Sequence, residues 1–218
     1  MSFLCHCCGQ VHKGLLDIGL DKPALAQHRS LLILLMLSLL YQPAVAQKYN
    51  VALGTAPAGF GWQALPDIKA AMPLPEGWYY KAEGQKGATT YFLTRDEIGE
   101  SGEYRTGMSL NVVRKVKSKT GRQAPDYAEL LMMRTGFSPG QKQLEKASSV
   151  DGVFYRRTVR YRDAPPEAEA RVVYQMALAN AKTDTLYLLT FESPEKDWPA
   201  AWKMGEAMIK ELVLDSRL

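Results

Sequence analysis

The hydrophobic pattern of the chain changes period several times, and each change marks an element. Leu31 to Leu40 is apolar at every position but Ser38 and has no period. Residues 47–66 are rich in Gly, Ala and Pro, with Tyr49, Phe60 and Trp62 as their aromatic side chains, and predict an extended or mobile tail. From Asp67 the spacing becomes regular. Ile68 to Met72 predicts a short strand ended by Pro73 and Pro75, Trp78 to Ala82 a second, and Thr89 to Thr94 a third. Asp96 to Arg105 is polar and predicts a loop, and Met108, Leu110, Val112 and Val116 fall on one face of a further strand. Over 122–137 the period lengthens: Tyr127, Leu130, Leu131 and Arg134 recur at helical spacing. Pro125 suits a first helical position, Asp126 and Glu129 lie where the helix dipole favours negative charge, and Gly136 predicts the stop.

Three strands follow. Val153, Tyr155, Arg157, Val159 and Tyr161 share one face of the first. Val172, Tyr174, Met176 and Leu178 alternate through the second, and the loop from Asp163 to Pro166 between them predicts an antiparallel hairpin. Thr185 to Phe191 is apolar on both faces, as expected of a central strand covered on both sides. The last segment is helical: Asp197 is placed to cap it, Pro199 fits its first turn, and Trp198, Trp202, Gly205, Met208, Ile209 and Leu212 form one stripe for burial against the sheet. Strands, a helix, more strands and a helix, without βαβ repetition, predict an α+β fold: a mostly antiparallel sheet with helices on its faces.

The apolar run at Leu31 to Leu40 is shorter than the about 20 residues a membrane helix needs. With Arg29 before it and Ala44-Val45-Ala46 after it, it has the parts of a secretory signal peptide cleaved after Ala46. The expected division is 1–46 as an extended leader and signal peptide, 47–66 as the extended tail, and 67–218 as a single domain that is periplasmic or secreted, with no membrane span after cleavage.

That cleavage changes the available chemistry. The three Cys (Cys5, Cys7, Cys8) and three His (His6, His12, His28) all precede residue 47. The expected mature chain has no thiol nucleophile, no His base and none of the usual ligands of zinc, copper or haem. Cys5, His6, Cys7, Cys8 and His12 crowd together instead of forming the two separated pairs of a structural zinc site. No metal and no cofactor is expected. Three of the 27 Lys and Arg and two of the 23 Asp and Glu also precede residue 47, so 24 cations face 21 anions and nucleic acid is not an expected partner.

Leu74-Pro75-Glu76-Gly77-Trp78, the Gly107-Met108-Ser109-Leu110-Asn111-Val112-Val113 strand and the helix after Pro125 come first in a recognisable order. The hairpin with Tyr155 and Tyr161, the strand ending Thr190-Phe191-Glu192-Ser193-Pro194 and the helix ending Leu212-Val213-Leu214-Asp215 complete it. Over about residues 67 to 215 this order resembles the PsbP-like α/β/α sandwich, a group that includes the photosystem II extrinsic protein, a Ran-binding import factor and exported bacterial proteins. The resemblance implies a non-enzymatic role in binding or assembly. The metal-binding His of some members have no counterpart here, so no metal site is carried over.

Positive charge supplies the candidate surface. Arg156, Arg160 and Arg162 share the face opposite Val153, Tyr155 and Val159, and Arg114, Lys115 and Lys117 cluster at the end of another strand. Such stripes bind anionic partners, and they equally suit a solvated face balanced by neighbours such as Glu167 and Glu169. Phe60 and Trp62 mark a docking tail, or fold back onto their own domain. Asp96, Glu97, Glu100 and Glu103 lack the alternating ligand spacing of a calcium loop. No phosphate-cradling P-loop occurs, and no catalytic residue is named. The expected function is an exported, non-enzymatic accessory protein that docks onto a protein of the cell envelope. The alternative is a module for a small apolar ligand or lipid, with a pocket between the C-terminal helix and the sheet; a carboxylate-dependent hydrolase ranks third.

Overall fold

The computed structural model describes residues 3–4, 11–12, 53–85, 88–99 and 103–214. The expected signal sequence, from Leu31 to the cleavage point at Ala46, lies outside the described residues. Phe3–Leu4 (β1) and Val11–His12 (β2) pair as a short antiparallel ladder.

Phe60–Leu65 (β3) runs antiparallel to Ala70–Pro75 (β4), with a 3-10 turn at Pro66–Ile68 between them. Regular pairing thus begins ahead of Asp67. Pro73 and Pro75 lie within β4 and do not end it. The reason is directional. Ala71 exchanges hydrogen bonds of 3.0 and 2.9 Å with Val213 on the side away from β3. Positions 73 and 75 turn to that same side, where a missing N–H breaks no β3–β4 bond.

The main sheet has seven strands: Tyr79–Gln85 (β5), Ala88–Thr94 (β6), Gly107–Arg114 (β7), Gln141–Asp151 (β8), Phe154–Asp163 (β9), Arg171–Asn180 (β10) and Thr185–Pro194 (β11). Their order is β5-β6-β7-β11-β10-β9-β8, and every neighbouring pair is antiparallel. The apolar strand β11 stands in the middle, as its two-faced pattern predicts, and the β9–β10 hairpin forms as expected.

Among the described residues three α-helices complete the layers: Val116–Thr120 (α1), Ala124–Met133 (α2) and Trp198–Lys210 (α3). On one face Met108, Leu110, Val112, Met176, Tyr187, Leu189 and Phe191 pack with Ala201 and Met208 of α3 and with Leu65, Ile68 and Met72 beside β3 and β4. On the other, Val159, Tyr161, Val173, Ala177 and Leu186 pack with Val116 of α1 and with Ala124, Ala128 and Met132 of α2. The architecture is an α+β sandwich with helices on both faces. Strand β7 is shorter than its alternation suggests. Lys115 takes a positive φ of 55°, the chain turns into α1, and Val116 joins the opposite cluster from Met108 and Leu110.

Asp197 does not cap α3; no side-chain cap bond forms, and its carboxylate stands 3.9 Å from Arg95. A remote residue serves α1 and α2 instead. Asp184, at φ 53° in the turn before β11, accepts from the backbone N–H of Lys117 at 2.7 Å and of Ala124 at 3.2 Å. Its own carbonyl accepts from Val116 N–H at 3.0 Å. One carboxylate therefore satisfies donors at the starts of both helices, where no intrahelical partner exists. Asp184→Ala is expected to cost about 1–2 kcal/mol in urea unfolding, the scale of a lost cap with donors left open. An unchanged midpoint would show that water replaces it.

Candidate functional site

Strand β8 is the edge of the main sheet next to β9, and it is the least covered element of the domain. Its burial alternates only at Gln141 and Gln143; every later position from Leu144 to Asp151 is exposed, whichever face it points to. The cause lies in the layers. The second cluster draws on β7, β9, β10 and β11, and the first reaches no further than Phe154 and Tyr174 on this side, so neither includes a residue of β8.

The hairpin joining β8 to β9 fixes which backbone groups face outward. Asp151 pairs with Phe154 across Gly152-Val153, and Gly152 has φ +57°, a conformation that glycine adopts without strain. In a two-residue hairpin the closing pair exchanges both hydrogen bonds, and the pattern alternates from there. Val150, Ser148 and Lys146 therefore turn their N–H and C=O away from β9, into open space. A bulge between Gln143 and Glu145 leaves Leu144 without a register partner.

Apolar exposure concentrates at the same edge. Among the described residues seven large hydrophobic side chains are exposed; Leu144 at 48% and Val150 at 74% stand on β8 and Val153 at 37% in its hairpin turn, while Met133 at the end of α2 and Phe137 in the loop that follows precede the strand. Single exposed hydrophobics are ordinary, but a run of them along an unpaired strand is a mark of contact with another chain.

The strand next to β8 is held firmly from behind. Glu129 of α2 accepts from the Tyr155 hydroxyl at 2.5 Å and from Arg157 at 2.6 Å. The bond to Glu129, and then burial, raise the Tyr155 pKa above its ordinary value. The arginines of β9 are mostly engaged in the same way. Arg160 meets Glu145 at 2.9 Å and Arg162 meets Glu195 at 2.8 Å, which holds the Glu195 carboxyl below its ordinary pKa. Arg156 is exposed and makes no ion pair among the described residues. The balancing acids are thus Glu145 and Glu195 in place of Glu167 and Glu169; Glu169 pairs with Arg105 and Lys196.

The second basic cluster stands apart. Arg114 lies level with Thr185, Asn180 and Phe154 across four strands, so β11 and β10 separate it from Arg156. Its guanidinium bonds to the Asp67 carbonyl, while Lys115 and Lys117 sit exposed at the start of α1. Phe60 and Trp62 belong to β3. Phe60 packs on the first core cluster, and the Trp62 indole N–H donates to the Gly54 carbonyl at 2.8 Å, within the segment that precedes β3.

The region between α3 and the sheet is filled by the protein's own rings. Trp198 stacks on Trp202 at 5.1 Å, both meet Phe191 edge-on at 5.8 Å, and Trp202 lies 4.7 Å from Tyr174. Among the described residues no three His, Cys, Asp or Glu come together as a metal site, and Asp96 of the acidic loop instead accepts the Thr106 N–H at 2.7 Å. No described helix is long and apolar enough to cross a membrane.

No family model matches the chain, and no curated protein matches it in sequence. Solved structures do align with it. Cyanobacterial PsbP from Synechocystis is 12% identical at a TM-score of 0.47, covering 76% of this chain and 98% of its own. The Ran-binding protein Mog1p of Saccharomyces cerevisiae is 14% identical at 0.42, covering 71% and 95%. LpqN of Mycobacterium tuberculosis, described as involved in cell envelope biogenesis, is 8% identical at 0.46, covering 71% and 90%. A PsbP and a Ran-binding protein, two of the groups named by the sequence resemblance, are among the structures that align.

Leu144, Val150, Phe137, Lys142 and Lys146 escape a reading based on hydrophobic periodicity, because a strand bare on both faces has none. The signal present was Asp151-Gly152, a hairpin-turn dipeptide placed before the alternating strand at Tyr155.

Proposed function

We propose that this is an exported, non-enzymatic accessory protein of the cell envelope that docks onto a protein partner through the β8 edge. The observation that carries the docking is an edge strand of eleven residues, Gln141–Asp151, whose outward backbone groups and exposed apolar side chains occupy one border of the sheet. An open edge is a template for a further strand: backbone hydrogen bonds supply affinity, and side chains on alternate faces supply selectivity. Export is supported by the sequence from Arg29 to Ala46.

A photoreactive amino acid at Ser148, activated in intact cells, tests this. The expected result is one recurrent envelope protein crosslinked from position 148 and absent when the probe stands at Lys203, an exposed position on α3. Equal capture from both positions, or a bait that keeps residues before Gln47, overturns the reading.

A further inference from the structure

The cations left over along this edge give the incoming strand its chemistry. Arg157, Arg160 and Arg162 are neutralised by Glu129, Glu145 and Glu195. Lys142, Lys146 and Arg156 make no ion pair among the described residues. Of the hairpin's other carboxylates, Asp163 is buried and Asp151 stands exposed at the turn, at the end of β8 away from Lys142. The spare cations are spread over both faces. Lys146 pairs with Val159 and so lies on the α2 side; Lys142 pairs with Arg162, and Ser149 with Arg156, on the α3 side.

Lysine on an edge strand ordinarily discourages pairing, because the charge must be desolvated beside the new strand. That cost falls on a neutral or basic strand and is offset by an acidic one. The same residues that repel one partner therefore select another. A second copy of this chain is disfavoured on the same ground: antiparallel self-pairing about the middle of β8 brings Lys146 close to its own symmetry mate.

Resting on the docking reading above, we propose that β8 accepts an acidic, extended segment of a partner protein as an eighth strand. Its backbone bonds to Lys146, Ser148 and Val150, its carboxylates face Lys142, Lys146 and Arg156, and its apolar side chains meet Leu144 and Val150.

Two fluorescein-labelled octapeptides, one repeating Val-Val-Glu-Glu and one repeating Val-Val-Lys-Lys so that the charges fall on both faces of a strand, probe this by anisotropy against the full chain. The glutamate peptide is expected to bind at least about tenfold more tightly at low salt, with the ratio shrinking as salt screens the exposed charges. Ser148→Pro removes one outward N–H and no β8–β9 bond, and is expected to weaken the glutamate peptide about tenfold with the thermal midpoint retained. Lys142→Glu combined with Lys146→Glu is expected to reverse the preference, which keeps the test alive should the proline variant misfold. Binding that is lost in Ser148→Pro yet indifferent to peptide charge overturns the acidic partner and leaves the docking edge standing. Binding unaffected by both sets of changes, binding of neither peptide, or a stable dimer in light scattering overturns the proposal.

Discussion

Phe191→Ala is expected to lower the unfolding free energy by about 3–5 kcal/mol, the range for removing a fully buried phenyl ring. Phe191 is 0% exposed and sits where α3 crosses the central strand. Trp198 and Trp202 both contact its ring edge-on, and α3 comes closest at Gly205, where an added Cβ would lie 2.8 Å from the ring. Glycine at 205 is therefore a packing requirement: its φ is not positive, and an ordinary side chain has no room. Gly205→Ala alone is expected to destabilise by about 1–3 kcal/mol through overpacking. The two changes touch the same space, so they should not add. Gly205→Ala combined with Phe191→Leu is expected to be more stable than the sum of the single variants, because the new methyl enters the volume the ring vacates. Urea unfolding of the set decides the matter, and strict additivity would mean that α3 slides away from the sheet.

How far the sequence reveals such contacts depends on whether a segment is buried on one face, on two, or on none. The α3 stripe is buried on one face, and Trp198, Trp202, Gly205 and Met208 are legible from their spacing and sit against the sheet. Strand β11 is buried on both, and its unbroken apolar run marks it as central. Strand β8 is buried on neither, and the hydrophobic pattern assigns Gln141–Asp151 no element because nothing in its surroundings selects a period. The proposed docking edge is thus the part of the fold that hydrophobic patterning is blind to. Tertiary geometry defeats local rules in two other places. Pro73 is tolerated in β4 because its ring faces the side without a β3 bond, which no local rule can tell. The acid serving the starts of α1 and α2 is Asp184, which follows α2 by three whole strands in sequence, while the locally placed Asp197 caps nothing. For the candidate surface, the sequence identified the arginines of β9 but not their partners. Glu129, Glu145 and Glu195 come from three separate elements, and only their convergence shows that Arg156, Lys142 and Lys146 hold the residual charge.

Asp163→Asn is expected to stabilise the protein at neutral pH by about 2–3 kcal/mol and to have little effect near pH 4, an unusual direction for removing a carboxylate. Asp163 ends β9, 0% exposed, in register with Gln141 of β8 and Arg171 of β10. Neither of its oxygens makes a hydrogen bond of ordinary geometry, although Gln141 lies near enough to favour the charged form. Arg171 is the natural counter-ion, but its guanidinium is taken by Glu192 at 2.7 Å. Burial pushes the Asp163 pKa up from 3.8 to about 6; Arg171 and Gln141 oppose the rise only in part, and Glu192 adds to it. The folded state therefore holds this proton more tightly than the unfolded chain. Above about pH 6 the folded protein carries a buried, unpaired charge and is destabilised. As pH falls from 6 towards 3.8 the group takes up its proton in the folded state first, and the penalty disappears. An amide lacks the titration, so wild type and variant should converge at low pH and diverge at high pH. Urea midpoints of both proteins at pH 7.5, 5.5 and 4 give the comparison. A variant less stable than wild type at pH 7.5 would mean that the charged carboxylate is held by Arg171 after all, and that burial is not what governs it.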